Sequence, residues 1–533
     1  MNRIRPRLSN GIIITFFAVF TTALLLFVSP DSYLHGLFAR CDSAWFFTAG
    51  KAWMNGLTPY IDFADSKGPL LWLIYGMGYL ISHSDYTGVF WLSVISYTAT
   101  FYCLYRAALL FVPRRAHAIV SALLMAIPFF LPPFHYEVRA EDFANLYFAV
   151  SVWALGRLCC GRPADGRSMR LAAFALGVCT GALLMIKYNL AVVQLSLVFA
   201  AAVIIICHSK REFVRSFVCY LAGEALMVLP FVFYLMVVGA FDAFAHEYFL
   251  STARLVNGLQ VSAMHNSLWH DMLNPVFVLY GVALLLGIVI AGRFLKRWAW
   301  IPYLVLVVFY AVFCIGYYAR YHYCMLAILY FPLAVYVGRK VSSRRSSAQI
   351  VGLTACAVIV ASCGLNYYLM RKSFCASFDR QLAQEFYAAS HLAGQVPHPT
   401  FVYLFFGDYG YGVKAQSLPG CKYWASQNGA SGEMHREQID AITRNQPDFV
   451  VVKEEVNSDS IAGVEQTSIN KILSDNGYRA YPLPGIGDSP AAAPRHIILY
   501  SRHALAVPLH AAEATWTDVI LRRNPLDRNA SNK

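Results

Sequence analysis

Three short stretches of this chain set carboxylates and cations among aromatic rings at the edges of apolar runs. The first is Arg40-Cys41-Asp42-Ser43-Ala44-Trp45-Phe46-Phe47, followed by Asn55-Gly56-Leu57-Thr58-Pro59-Tyr60 and Lys67-Gly68-Pro69-Leu70. A carboxylate at the head of an aromatic, amphipathic segment lying on a membrane surface can take a proton from a hydroxyl. Asp is also a preferred helix cap, and by residue type alone Asp42 fits either role. The second stretch, His135-Tyr136-Glu137-Val138-Arg139-Ala140-Glu141-Asp142-Phe143, offers either a second functional acid in Glu141 or Asp142 or a hydrated helix start, where acids are favourable. The third, Tyr317-Tyr318-Ala319-Arg320-Tyr321-His322-Tyr323, adds Arg320 and His322. Lys67 and Lys187 stand where polar residues meet apolar segments, the depth at which a cation holds a lipid phosphate or snorkels to the surface. One acid with several cations suits removal of a proton opposite an anionic leaving group.

The elements carrying these residues belong to a polytopic membrane protein. Of its 533 residues, 58% are hydrophobic and 14% charged, against ~45–50% and ~25% in soluble domains. The mean hydropathy is +0.48. The apolar residues come in blocks long enough to cross ~30 Å of hydrocarbon. These blocks run at Gly11–Val28, Gly88–Val112, Ala116–Phe134, Phe143–Gly156, Leu171–Ile186, Leu190–Cys207, Phe217–Val238, Leu273–Gly292, Trp300–Tyr317, Tyr323–Gly338 and Ile350–Met370, which predicts eleven spans. Leu171–Cys207 exceeds one helix and divides at Lys187-Tyr188-Asn189. Leu70–Ile81 is too short to cross and reads as a juxtamembrane or re-entrant helix. With it left uncrossed, the loops assigned to the cytoplasm hold 20 Lys and Arg and the outer loops 7, the asymmetry expected of a retained cytoplasmic face. The first block follows Arg3, Arg5 and Arg7 and reads as an uncleaved anchor with a cytoplasmic N-terminus. All three chemical stretches then face outward, together with a first outer loop at 29–87.

The net charge of +13 resides in the membrane part, where loop retention accounts for it and nucleic-acid binding is not indicated. Residues 371–533 carry 16 basic and 16 acidic residues. Strand-like runs at Phe401–Phe406, Phe449–Val452 and His496–Tyr500 with a helical stretch at Ser468–Asn476 predict a small extracytoplasmic α/β domain there, separate from the membrane domain at 1–370. The glycine-rich Gly407-Asp408-Tyr409-Gly410-Tyr411-Gly412 lacks the Lys-Ser/Thr of a phosphate loop and reads as a turn. Cys375 and Cys421 would share an oxidising compartment and could pair, while the absence of any CxxC argues against a metal site. Glu224, inside a span, is read as structural.

The order of these pieces resembles the GT-C superfamily of membrane glycosyltransferases, and in particular the protein O-mannosyltransferase and lipid A aminoarabinose transferase branch. The resemblance rests on Asp42, Asn55-Gly56-Leu57-Thr58-Pro59-Tyr60, Lys67-Gly68-Pro69-Leu70, the second-loop acids Glu141 and Asp142, and Arg320-Tyr321-His322-Tyr323. Lys-Gly-Pro departs from the commoner Lys-Pro-Pro, and a Glu-Asp pair stands where a single Asp is usual. The resemblance implies a sugar donor on a polyprenyl phosphate, Asp42 as base, Glu141 favoured as second acid, and Lys67, Lys187, Arg320 and His322 around the phosphate. No cofactor or metal follows from it, and the acceptor would be a glycolipid, glycan or protein hydroxyl. A bacterial inner membrane fits an outward-facing site. The rival reading, a lipid or solute transporter, predicts repeats and ionisable groups near the bilayer midplane, whereas these polar residues gather at one edge.

Overall fold

A computed structural model describes residues 9–29, 31–35, 41–130, 139–160, 165–250, 282, 285–287, 289–290, 327–340, 347–370, 388–404, 407–408, 410–425, 432–454, 466–483 and 496–506. Eleven helices are named here: α1 (Asn10–Val28), α2 (Cys41–Met54), α3 (Pro69–Ile81), α4 (Thr87–Ala108), α5 (Arg115–Leu124), α6 (Ala140–Cys160), α7 (Gly166–Ile186), α8 (Tyr188–His208), α9 (Lys210–Val237), α10 (Phe331–Lys340) and α11 (Ser347–Met370). Among the described residues five of these, α1, α4, α7, α8 and α9, are long and apolar enough to cross a membrane. This is an integral membrane protein.

The chain gathers into two compact units, one of residues 1–28, 92–234 and 256–367, the other of 29–91, 235–255 and 368–533. In the first unit, the predicted division of the long apolar run falls at Lys187, whose extended backbone (φ −164°, ψ 115°) separates α7 from α8. Asp165 caps α7 by accepting from the Ser168 N–H at 2.9 Å. Gly177 and Gly223 let α7 and α9 touch backbone to backbone, since a Cβ on Gly177 would lie 2.0 Å from the Tyr220 carbonyl oxygen. The expected continuous block Ala116–Phe134 is instead broken, with α5 ending at Leu124 and a short turn of helix at Ala126–Phe129. Pro128 has no N–H to give the Leu124 carbonyl, which weakens the helix there.

In the second unit, Pro69 at the first turn of α3 starts a helix of 13 residues, about 20 Å at 1.5 Å per residue and short of the ~30 Å hydrocarbon layer. α2 crosses α3 closely, because a Cβ on Gly50 would sit 2.4 Å from the Gly76 nitrogen. The tail holds β1 (Thr400–Leu404), β2 (Leu418–Pro419), α12 (Gly432–Thr443), β3 (Phe449–Glu454), α13 (Gln466–Asp475), β4 (Arg479–Pro482) and β5 (His496–Ser501). The sheet order is β2-β1-β3-β5-β4, with β1 parallel to β2 and β3, and β5 antiparallel to β3 and β4. Val402, Val450 and Val452 on its strands pack with Ile442 of α12 and Ile469 and Leu473 of α13. Strands and α13 coincide with the runs predicted from β-branched and apolar residues; α12, β2 and β4 are additions.

Candidate active site

The expected site residues fall into one group in each unit. In the second unit, α2 begins at Cys41, so Asp42 occupies its first turn, where a carboxylate is favoured by the helix dipole. Its side chain makes no hydrogen bond to a described residue, so it does not act as the helix cap there. Four residues on, and therefore on the same face of α2, comes Phe46. The Lys67 Nζ lies 5.7 Å from the centre of the Phe46 ring, within cation–π range. The same ammonium is 3.7 Å from Asp65 Oδ1 and donates to Ser66 Oγ at 3.3 Å.

Asp65 is buried and accepts from the Ser66 backbone N–H at 2.5 Å. Burial raises its carboxyl above the ordinary value, Lys67 and the Ser66 amide oppose the rise, and the neighbouring charge of Asp42 adds to it. Asp65 therefore feels both the candidate base and the candidate phosphate ligand. The base of Lys67 is fixed from behind by Tyr60, whose hydroxyl donates to the Lys67 carbonyl at 2.8 Å. Tyr60 is buried, in the left-handed region at φ 67°, and its ring lies 4.7 Å from Trp72. The Pro59–Tyr60 turn is thus a device that presents Lys67 at the start of α3. On the inner side of α2, Ser43 donates to Asp31 Oδ2 at 2.8 Å and lies 3.1 Å from the Tyr75 hydroxyl, tying the helix to the segment before it and to α3.

The tail reaches α2 from the other side. Asp408 Oδ2 accepts from Thr48 Oγ1 at 2.6 Å and from Trp424 Nε1 at 3.1 Å, and its Oδ1 accepts from the Gly410 N–H at 2.7 Å. Trp424 packs on Trp45 with ring centres 4.6 Å apart. One turn beyond Thr48, Lys51 is fully buried with no hydrogen-bond partner for its ammonium. Burial brings it down to about 8, although the Asp408 charge opposes the shift. A second clasp joins Glu247 to Lys422 at 2.8 Å and to the Tyr423 hydroxyl at 2.6 Å. In the stretch Gly407–Gly412, Gly410 takes φ 79° and turns run on from Tyr411, but Asp408 is also a fastener onto the helix that carries Asp42.

In the first unit, Glu141 and Lys187 form a closed ion pair of 2.7 Å, both largely buried. Asp142 accepts from Tyr97 at 2.5 Å and from the Arg139 backbone N–H at 2.7 Å, with Asn145 also reaching Tyr97 at 3.3 Å. The two neighbouring acids thus divide: Asp142 fastens the start of α6 to α4, and Glu141 holds the lysine at the α7–α8 break. Arg320, His322 and Cys375 lie outside the described residues. Among the described residues no group of three metal-ligating side chains forms.

The chain can be set beside proteins of known structure. It superposes on ArnT from Cupriavidus metallidurans in the apo state with a TM-score of 0.58 and 12% identity, over 92% of this chain and 98% of that one. ArnT from the same organism bound to undecaprenyl phosphate gives 0.51 and 13%, over 93% and 99%. The chain shares its fold with both ArnT structures. The arabinofuranosyltransferase AftD from Mycobacteria gives 0.51 and 14% over 93% of this chain and 42% of that one. No protein-family model matches the chain, and no curated protein matches its sequence. The residues that sequence reasoning passed over are Asp65, Asp408, Lys51 and Asp31. Only Asp65 left a local signal, an Asp-Ser-Lys spacing at the entrance to an apolar helix. Asp408 has its partner 360 positions away, beyond any motif.

Proposed function

We propose that this protein is a membrane glycosyltransferase that moves a sugar from a polyprenyl-phosphate donor to an acceptor hydroxyl on the extracytoplasmic face, with inversion. The observation that carries the reading is the grouping of Asp42, Asp65 and Lys67 at the α2–α3 edge of a GT-C fold, with Lys67 held within reach of an anion. The undecaprenyl phosphate bound by ArnT supports a donor of that class.

In this mechanism the Asp42 carboxylate takes the proton of the acceptor hydroxyl as its oxygen attacks the anomeric carbon from the face opposite the phosphate. The bond from that carbon to the phosphate oxygen breaks, and the polyprenyl phosphate leaves with the electron pair. Such a phosphate is a stable anion, so no strong general acid is needed, and cations take the developing charge. Lys67 is the ligand assigned to it here, with Arg320 and His322 as further contacts. Lys187 has Glu141 as its partner, so Glu141 serves by fixing that lysine. No cofactor or metal enters. The wider layout follows the charge pattern: eleven spans in residues 1–370, a cytoplasmic N-terminus, and residues 371–533 outside a bacterial inner membrane.

Mass spectrometry of envelope glycolipids, glycans and glycoproteins from a deletion strain tests the reading. Loss of one sugar from one class of acceptor, restored by the wild-type gene but not by Asp42→Asn, is the expected result. An unchanged glycan and glycolipid profile would reject it.

A further inference from the structure

The first unit holds an apolar pocket of about 540 Å³, formed by Phe111 after α4, Val152 and Leu155 of α6, Leu197 of α8, and Phe331 and Val335 of α10. Every described residue lining it is apolar, and its volume falls in the range of small-molecule sites. It lies well away from the Glu141–Lys187 pair, since Leu155 comes about four turns, or ~21 Å, further along α6 than Glu141.

Three basic stretches flank this end of the unit. Arg157 follows the lining residue Gly156, and Arg114 and Arg115 follow Phe111. On α10, Arg339 is one turn beyond Val335, on the stripe that runs through Phe331 and Val335, with Lys340 next. Packing draws the stretches together: a Cβ on Gly156 would lie 3.0 Å from Leu110 Cδ1, and one on Gly338 2.8 Å from the His117 carbonyl oxygen. No Asp or Glu stands in residues 106–117, 152–160 or 331–340. Loop retention accounts for these cations by themselves, but not for the apolar pocket beside them.

We propose that the pocket takes an acyl chain of an anionic phospholipid, with the headgroup phosphate against Arg157, Lys340 and the Arg114 loop. A pocket with no polar lining accepts hydrocarbon rather than water, and in a bilayer the nearest hydrocarbon is a lipid tail. Basic pockets between spanning helices on the cytoplasmic side receive anionic headgroups, and this is the cytoplasmic end under the orientation proposed above. The attraction is a field of several cations and asks none of them to give up its present contacts. Arg157 keeps its place 5.6 Å from the centre of the Trp153 ring, and Lys340 its place 5.8 Å from that of Tyr336.

The test is native mass spectrometry of the purified full-length protein, stripped of lipid and titrated with phosphatidylglycerol or with phosphatidylcholine of the same chain length. Wild type should retain one phosphatidylglycerol with an affinity at least about fivefold above that for phosphatidylcholine, the effect of one cation near a headgroup. Arg157→Gln combined with Lys340→Gln should remove that preference and leave phosphatidylcholine binding unchanged. Leu197→Phe, which fills the pocket from α8, should lose retention of both lipids; Val152→Phe should do so from α6 if Leu197→Phe fails to accumulate. Equal affinity of wild type for the two lipids, or undiminished retention by the filled variants, would overturn the proposal. So would displacement of phosphatidylglycerol by an equal concentration of undecaprenyl phosphate, which would make the pocket a polyprenyl site.

Discussion

Asp42 and Glu141 both stand in the first turn of a helix, yet only Glu141 is closed on a cation, while Asp42 keeps its lone pairs clear of the described residues. A base needs that freedom, and a residue that positions a lysine needs the opposite. Glu141→Gln should therefore impair turnover more than Asp142→Asn, whereas Asp142→Asn should register in thermal stability, by about 1 kcal/mol for its lost capping and hydroxyl contacts. Turnover and melting measured on both variants separate the roles, and the reverse ranking would exchange them. Lys67→Ala should raise the apparent donor KM, or lower kcat if the contact tightens on the leaving group; unchanged kinetics would return Lys67 to a snorkelling cation.

Among the elements, α2 does the most for the site, since it carries Asp42 outward, Gly50 into α3 and Lys51 toward the tail. Gly50→Val must push apart two backbones that now nearly touch. It should cost about 1–3 kcal/mol, seen as lower accumulation and an earlier thermal transition, and wild-type behaviour would refute the close crossing. Lys51 gives a pH signature. Its folded-state value of about 8 lies below the ~10.4 of an unfolded lysine. Between those values the unfolded chain binds a proton that the folded chain does not, so this group makes stability rise with pH across that window. The melting temperature of wild type measured against Lys51→Met from pH 7.5 to 9.5 should show an upward difference slope; parallel curves would contradict the burial of a charged-prone amine. Much of this level is legible in the sequence. Apolar blocks mark the helices, Lys187-Tyr188-Asn189 marks a break, and β-branched runs mark the strands. What escapes is pairing over long range: the Asp408 carboxylate looks like turn chemistry until Thr48 and Trp424 are brought to it.

For the whole molecule, the basic residues make a prediction that no single helix can. Reporter fusions at residue 115 and after residue 375 should fall on opposite sides of the membrane, with 115 cytoplasmic; both on one side would mean that α3 crosses. The sequence motifs foretell the fold shared with ArnT, but the fold alone does not assign the sugar or acceptor, which depend on side chains that no shared backbone fixes. The central claim is chemical and turns on Asp42. Full-length wild-type protein and Asp42→Asn, which is nearly isosteric, should be supplied with polyprenyl-phosphate-linked sugars and acceptor extracted from the cell envelope, and the release of free polyprenyl phosphate followed by mass spectrometry. The account predicts normal accumulation of the variant with release slowed at least about a hundredfold, roughly 2.7 kcal/mol of transition-state stabilisation. Release by Asp42→Asn at a rate near that of wild type would contradict it.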